Sequence, residues 1–292
     1  MEMVIMINPR NILYAGLPLA ASLLLGGCLT PTSEKADSAS EPQKTALAAD
    51  ISMGWVLEAG PGSATSIGAG ADGVAYMTAT DNQGNGSHTL LQWNGSGFST
   101  VNGTGFEVDV GTNNEIWLIG SDHRVYASGN NGISWSGTSS PLVSEIGLNS
   151  FVGAPWALGL GTINSAGDHA VYKYNGSGWS LVPGRGGVRI DVDGLGDPYL
   201  VNANHDIYKW NSSNSSFQLF TTQKATDIAV NPGGSVWIIS NTTVAPNGDK
   251  AIYGWDGSTW QLTNGGAKRI SVAQDGVLWI VNSDGAVYKG NW

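Results

Sequence analysis

Ile270-Ser271-Val272-Ala273-Gln274-Asp275-Gly276-Val277-Leu278-Trp279-Ile280-Val281-Asn282, followed by Ala286-Val287-Tyr288, is the stretch that decides the fold. A short apolar run is cut by Asp-Gly, a tight-turn pair. A second run carries a Trp and a third carries a Tyr. Short apolar runs separated by Gly, Asn and Asp turns read as antiparallel strands. The same order recurs along the chain. The first run centres on Ile67, Val108, Ile146, Ile190, Ile228 and Ile270. A turn such as Asp72-Gly73, Asn113-Asn114, Gly233-Gly234 or Asp275-Gly276 follows. The second run holds Tyr76, Trp117, Trp156, Tyr199, Trp237 or Trp279, and the third Leu91, Tyr126, Tyr172, Tyr208, Tyr253 or Tyr288. A last turn, as at Asn94–Gly97, Asn175–Gly178 and Asp256–Thr259, leads into a fourth run that opens on an aromatic.

Those aromatics are Trp55, Phe98, Trp135, Trp179, Phe217, Trp260 and Trp292, at intervals of 32 to 44 residues. Self-similarity on that scale sets the architecture. Four short strands per unit and six units predict an all-β fold: a six-bladed β-propeller of four-stranded antiparallel blades over residues 51–292. The last unit supplies three strands, and the chain opens with an orphan strand, Met53–Leu57. That strand is predicted to pair with the C-terminal blade and close the ring, leaving no open sheet edge.

Composition agrees. Only 12% of residues are charged, 42 are Gly, and no convincing amphipathic helix follows residue 50. A net charge of −10 disfavours nucleic acid, whose phosphates need a basic surface. The N-terminus reads as an address. Arg10, an apolar run over Ile12–Leu25 and the small residues before Cys28 make residues 1–27 a signal peptide. Residues 28–50 are rich in Ser, Ala, Pro, Glu and Lys, and read as a flexible tether. Cys28 is the only cysteine, so no disulfide forms within the chain. Leu25-Gly26-Gly27-Cys28 resembles the bacterial lipobox. That resemblance implies cleavage before Cys28, its lipidation, and anchoring in a membrane. With Leu29 next, it also implies the outer membrane of a Gram-negative bacterium.

The run at Ile270–Asn282 with Ala286-Val287-Tyr288, together with Tyr253–Trp260, resembles the tectonin family of propellers. The likeness extends over residues 51–292, and is looser at Glu115–Trp135 and Phe151–Trp156. It implies a lectin that recognises lipopolysaccharide or another surface glycan.

Where such a site would lie is read from loop lengths. Between the second and third strands, units one, three and five have long loops, Ala79–Ser87, Gly159–Asp168 and Asn241–Asp249. The other three have short turns, so the true repeat is a pair of units. Loops longer than connection requires are where binding concentrates. The candidate glycan contacts are Asn82, Asn85, His88, Asn164, Asp168, His169, Asn247, Asp249 and Lys250, since amides and carboxylates suit sugar hydroxyls. The alternative is an ordinary solvated loop. His88, His123, His169 and His205 share one repeat position with Lys250 and Gly285. They form either a cationic ring facing an anionic glycan or a turn position of positive φ. The Asn-x-Ser/Thr triplets at Asn94, Asn175 and Asn241 read as turn chemistry, and the repeated Trp and Tyr as packing between units.

No hydrolase elbow, zinc-protease motif or phosphate loop is present. Ser128–Trp135 resembles the Asp-box of sialidases, a structural turn. The chain is therefore expected not to be an enzyme and to need no metal or cofactor. Two readings remain: a surface lectin, or a non-catalytic scaffold holding an envelope protein partner.

Overall fold

A computed structural model describes residues 51–111, 114–148 and 154–291. The signal peptide, Cys28 and the tether lie outside the described residues, as do Asn113 and Phe151–Gly153. The described residues belong to the compact unit Ala46–Trp292.

The fold is all-β, with strands gathered into antiparallel sheets. Strand β1 (Gly54–Ala59) comes first. Sheet I is β2 (Ala64–Ala69), β3 (Ala75–Ala79), β4 (His88–Trp93) and β5 (Phe98–Gly105). Sheet II is β6 (Glu107–Val110), β7 (Ile116–Ile119), β8 (Val125–Ser128) and the two-residue β9 (Ser136–Gly137). Sheet III is β10 (Val143–Gly147), β11 (Trp156–Thr162), β12 (His169–Tyr174) and β13 (Trp179–Gly187). A seven-stranded sheet follows: β14 (Arg189–Val192), β15 (Pro198–Val201), β16 (Asp206–Asn211), β17 (Ser216–Val230), β18 (Val236–Thr243), β19 (Lys250–Trp255) and β20 (Trp260–Ala267). The last sheet is β21 (Arg269–Val272), β22 (Leu278–Val281) and β23 (Val287–Asn291), with β1 as its fourth strand.

The seven-stranded sheet is two four-stranded units that share a strand. Residues Ser216–Lys224 of β17 pair with β16, and Ala225–Val230 pair with β18. Thr221-Thr222-Gln223-Lys224-Ala225-Thr226 holds no Gly or Pro, and its three β-branched threonines keep it extended. These halves are called IV and V, and the last sheet VI. Strand β1 pairs with β23 through Gly54–Asn291, Val56–Lys289 and Leu57–Tyr288.

The first strands of the sheets pack on one another: β2 on β6, β6 on β10, β10 on β14, β14 on β17, β17 on β21, and β21 on β2. The aromatics of the second strands fill the spaces between sheets. Trp279 of sheet VI meets Trp93 and Phe98 of sheet I at 5.5 and 5.9 Å, and Trp156 of sheet III meets Trp210 of sheet IV at 5.5 Å. These are edge-on or tilted contacts, the geometry that ring quadrupoles favour.

Close approach of first strands needs glycine at two places. A Cβ on Gly147 would lie 2.8 Å from the Ile190 carbonyl oxygen and 2.9 Å from Asp191 Cα. Gly68 stands in the same relation to Val108 and Asp109. The obstacle is backbone, so it cannot swing aside. Gly147→Ala is expected to cost about 1–3 kcal/mol through overpacking, measured as a lower urea midpoint with an unchanged slope.

Turns follow their residues. At Asn94, Asn175 and Asp256 the side-chain oxygen accepts from the backbone amides two and three residues on. These are Asx turns. Asn241, expected in a turn, lies within β18 instead.

Candidate functional site

Two of the three long loops are shorter than the sequence suggests, because β11 and β18 run on past a bulge to Thr162 and Thr243, while the loop after Ala79 keeps its expected length. Their polar residues are engaged with the protein itself. Asn82 Oδ1 accepts the amides of Gly84 and Gly86. Asn164 Oδ1 accepts those of Ala166, Gly167 and Asp168, while its Nδ2 donates to Asp168 Oδ2 at 2.8 Å. Asn247 Nδ2 donates to Asp249 and, at 2.7 Å, to Asp284. Each loop also clips the next sheet at one equivalent residue. Asn85 Nδ2 donates to Ser121 Oγ (3.2 Å), Asp168 Oδ1 accepts from Ala203 N (2.7 Å), and Asp249 Oδ1 accepts from Ser283 N (2.6 Å). The pairing of sheets I with II, III with IV and V with VI is thus built into the loops.

The histidines divide by the same pairing. His123 and His205 have φ of 59° and 67°, as does Gly285 at 77°, so in sheets II, IV and VI this is the left-handed turn position. His88, His169 and Lys250 instead open β4, β12 and β19. There the left-handed residue is a glycine just before, such as Gly167 or Gly248. His123 stacks on Phe106 at 5.0 Å, and His88 meets the same ring edge-on at 6.4 Å. The ring Nδ1 of His169 is buried with no hydrogen-bond partner among the described residues.

Two further groupings were not anticipated. The first lies where the first strands converge. The residue before each apolar centre is Ser66, Glu107, Glu145, Arg189, Asp227 or Arg269, polar in every unit. Arg269 Nη2 bonds Glu107, which also receives the Ser66 hydroxyl. Arg269 Nη1 lies 3.8 and 3.9 Å from Glu145 and Asp227. Arg189 reaches Glu145 at 3.1 Å and Asp227 at 3.5 Å. Below them, Asp109 accepts the amides of Val110 and Leu148, and Asp191 those of Val192 and Val230. The cavity between these groups is about 30 Å³. That holds a water or two and no sugar.

Burial pushes Glu145 up to about 8; Arg189 and Arg269 pull against it, and Glu107 and Asp227 add to it. Burial likewise raises Asp109 to about 7, against the pull of its two amide donors. Asp191 is raised well above the usual range by burial and then by Asp109. For Arg269, burial acts to lower, and Glu107, Glu145 and Asp227 more than reverse it. A carboxyl raised in the native state binds its proton more tightly there than in the unfolded chain, so stability falls as pH rises across the interval. Melting temperature is expected to be highest near pH 5 and to decline towards pH 8, with Glu145→Gln flattening the decline. A melting temperature that rises over that range would contradict it.

The second grouping is a groove repeated at the paired sheets. Between sheets I and II it is about 330 Å³, lined by Gly103, Thr104, Leu118, Asp122, Tyr126 and Trp135 among others. The half-buried Trp135 packs on Gly103, where a Cβ would come within 2.8 Å of the indole, and donates Nε1–H to Asn102 O at 2.8 Å. The turn that resembled an Asp-box sets this indole. Asn130 Oδ1 accepts the Ser134 amide, and Ser128 Oγ accepts that of Gly132. Asp122 accepts the Tyr126 hydroxyl at 2.8 Å and the Arg124 amide at 3.1 Å. Burial acts to raise this carboxyl, but those bonds outweigh it and hold Asp122 below the usual range. It is exposed, charged at neutral pH and has lone pairs to spare.

Between sheets V and VI most of the same positions make a groove of about 170 Å³, lined by Trp55, Gly265, Gly266, Ile280, Asn282 and Tyr288, with Asp249 from the loop as its carboxylate rather than Asp284, the counterpart of Asp122. Trp55 packs on Gly265 as Trp135 does on Gly103, and its Nε1–H is buried without a partner among the described residues. The correspondence follows register. Gly105 and Ala267 pair with His88 and Lys250, and Leu118 and Ile280 pair with Tyr126 and Tyr288. Of the residues expected from sequence, Asp249 lines a groove and Asn85 touches one at Ser121. The sequence assigned Trp135, Trp55, Tyr126 and Tyr288 to packing alone. The available signal was a Gly two residues before the end of the fourth strand in units one and five, facing a Trp in the next unit.

No family model matches the sequence, and no curated protein is significantly similar to it. Solved structures share its fold. A gluconolactonase of Xanthomonas campestris, XC5397, superposes with a TM-score of 0.56 at 14% identity, over 81% of this chain and 88% of that one. A streptogramin B lyase gives 0.54 at 15%, over 82% and 97%. YCF48 bound to D1 peptide gives 0.52 at 11%, over 81% and 94%. The chain has a β-propeller-type fold.

That finding corrects the expectation that the chain is not an enzyme. Two of these neighbours are enzymes on the same fold, so the lack of a linear catalytic motif gives no ground for excluding catalysis. The reason is geometric. This fold gathers side chains from distant strands, as it gathers Glu107, Glu145, Arg189, Asp227 and Arg269 here, and such a set leaves no motif in the sequence.

Proposed function

We propose that this chain binds carbohydrate, as a six-bladed propeller of tectonin type, through the grooves between paired sheets. One observation carries the reading: an indole and a tyrosine recur at matched positions around a groove at two of the three sheet pairs, with a carboxylate beside them that comes from different positions, Asp122 in the first and Asp249 in the second. A pyranose offers an apolar C–H face to an indole, and hydroxyls that need acceptors and donors at fixed angles. Trp135 supplies the first need; Asp122, Tyr126 and the Gly103–Thr104 backbone supply the second. The groove at sheets I and II falls within the ordinary size of ligand sites, about 300–1,000 Å³.

Six blades and a closed ring are part of the reading. The packing of β21 on β2, and β1 as fourth strand of sheet VI, support it. A ring of three pairs presents repeated weak sites, which a polyvalent surface glycan would engage together. The rim residues Asn82, Asn85, His88, Asn164, Asp168, His169, Asn247, Asp249 and Lys250 would then shape the groove mouths by holding the loops. Lipopolysaccharide or another surface glycan suits a protein anchored by lipid on Cys28. Cys28→Ser is expected to release the chain from the membrane fraction, and retention there would contradict the anchor.

The test of function is a glycan-array screen that includes methylated sugars and lipopolysaccharide fragments. Saturable binding to one glycan class is the expected result. A well-folded protein that binds none of them would overturn the reading.

A further inference from the structure

The third sheet pair breaks the pattern in three places at once. Counting back from the residue that pairs with the start of the third strand, Gly103 and Gly265 correspond to Arg185. Four residues before the groove tyrosine, Asp122 and Asp284 correspond to Asn204. The fourth-strand indole is also missing: its place is held by Phe217, which is buried against Trp210 at 5.0 Å. The carboxylate at the groove mouth has become an amide, and a cation has entered.

Arg185 takes up the space. Its guanidinium lies 4.1 Å over the ring of Tyr208, the counterpart of Tyr126 and Tyr288. The residue is exposed, and among the described residues it forms no ion pair. The nearby carboxylates are occupied. Asp206 is bonded by Lys224, which holds it below the usual range, with a smaller pull from Arg185 itself at more than ion-pair distance. Asp168 is buried, with one oxygen on the Ala203 amide and the other on Asn164. Lys224 also lies 3.5 Å from the Asn204 carbonyl, which brings a second positive charge to the same mouth. A guanidinium stacked on a ring has its plane fixed while its N–H edge stays free, which suits a two-oxygen anion.

We propose that the surface where sheets III and IV meet is an anion subsite, in which Arg185, stacked on Tyr208, binds a carboxylate or phosphate group carried by the glycan. The inference rests on the glycan-binding reading and deepens it: the ligand is an acidic saccharide, with its neutral rings in the grooves of Trp135 and Trp55. Tyr208 is the platform, Arg185 the clamp, and Lys224 strengthens the local field.

The test is a titration of the ¹⁵N-labelled intact chain, in detergent, with glucose, glucuronate and glucose 6-phosphate. The readouts are the Arg185 Nε–H and the Trp Nε–H resonances. Glucuronate, glucose 6-phosphate or both are expected to move Arg185, and glucose is not; which of the two acts tells carboxylate from phosphate. Arg185→Gln is expected to weaken the acidic sugars at least tenfold and leave the response of Trp135 to glucose unchanged. Arg185→Lys, which keeps the charge and loses the fork, should fall between. Raising salt from 50 to 500 mM should weaken the acidic sugars alone. An Arg185 signal that ignores both acidic sugars while Trp135 responds would overturn the anion subsite and leave glycan binding standing. Silence from every Trp and Arg would overturn both.

Discussion

Arg269→Ala is expected to destabilise the protein by about 3–5 kcal/mol, the cost of breaking a buried ion pair from one side. The guanidinium serves three carboxylates from three other sheets: Glu107 of sheet II, Glu145 of sheet III and Asp227 of sheet V. Its own side chain is 11% exposed, and those of its partners 13%, 9% and 7%. With Arg269 removed, Arg189 remains for Glu145 and Asp227, and Glu107 keeps only the Ser66 hydroxyl. The melting temperature should fall by about 6–20 °C at neutral pH, taking 2–4 °C per kcal/mol. The loss should shrink towards pH 5, where Glu145, raised by burial, carries its proton. Arg269→Met with Glu107→Leu should recover much of it, since an apolar pair avoids the desolvation cost that a charge pair must offset. A single variant that melts like the parent would show that the network contributes nothing net.

The second large effect concerns binding. Trp135→Ala should weaken glycan binding 30-fold or more, on the scale of a buried aromatic anchor at about 2–4 kcal/mol. The indole forms a wall of the groove between sheets I and II, next to the only groove carboxylate bonded by its tyrosine among the described residues, Asp122. Alanine also empties the contact with Gly103 and the bond to Asn102, so some stability will be lost. Trp135→Phe separates the two effects: it keeps a ring and should retain part of the affinity. Tyr126→Phe removes the hydroxyl that orients Asp122 and should cost less, about 1 kcal/mol. Titration calorimetry beside a melting curve for each variant reads both quantities.

Much of this molecule could be read before any coordinates. The strands around Ile270, Trp279 and Tyr288, the Asx turns at Asn94, Asn175 and Asp256, and the place of the opening strand beside the last one follow from local rules, because strand period and turn chemistry act over a few residues. The left-handed turn at Gly285 extended correctly to His123 and His205, but not to His88 or His169. The long loops shift the left-handed residue back onto a glycine there. The continuous β17 was hidden because a unit boundary is marked only by what breaks it, and Thr221–Thr226 breaks nothing.

The sites were harder to see, for one physical reason. Each groove is made by two sheets, with Gly103 and Trp135 about 30 residues apart in the first and Gly265 and Trp55 at opposite ends of the described chain in the second, and the charge network by five. A side chain such as Trp135 looks the same in sequence whether a neighbour covers it or leaves it open. The paired-loop alternation was visible, and it led to Asn85, Asp168 and Asp249, which hold the mouths of the grooves. What it concealed was that their polar atoms are already spent on Ser121, Ala203 and Ser283.

The most direct measurement is a ¹⁵N spectrum of the tryptophan Nε–H groups, recorded with and without a saturating glycan taken from the array. Twelve tryptophans, all between Trp55 and Trp292, report at once from every sheet. The account predicts that Trp135 and Trp55 move together while the buried Trp156, Trp237 and Trp279 stay still. Tight binding that leaves Trp135 and Trp55 unmoved would place the glycan elsewhere and contradict it.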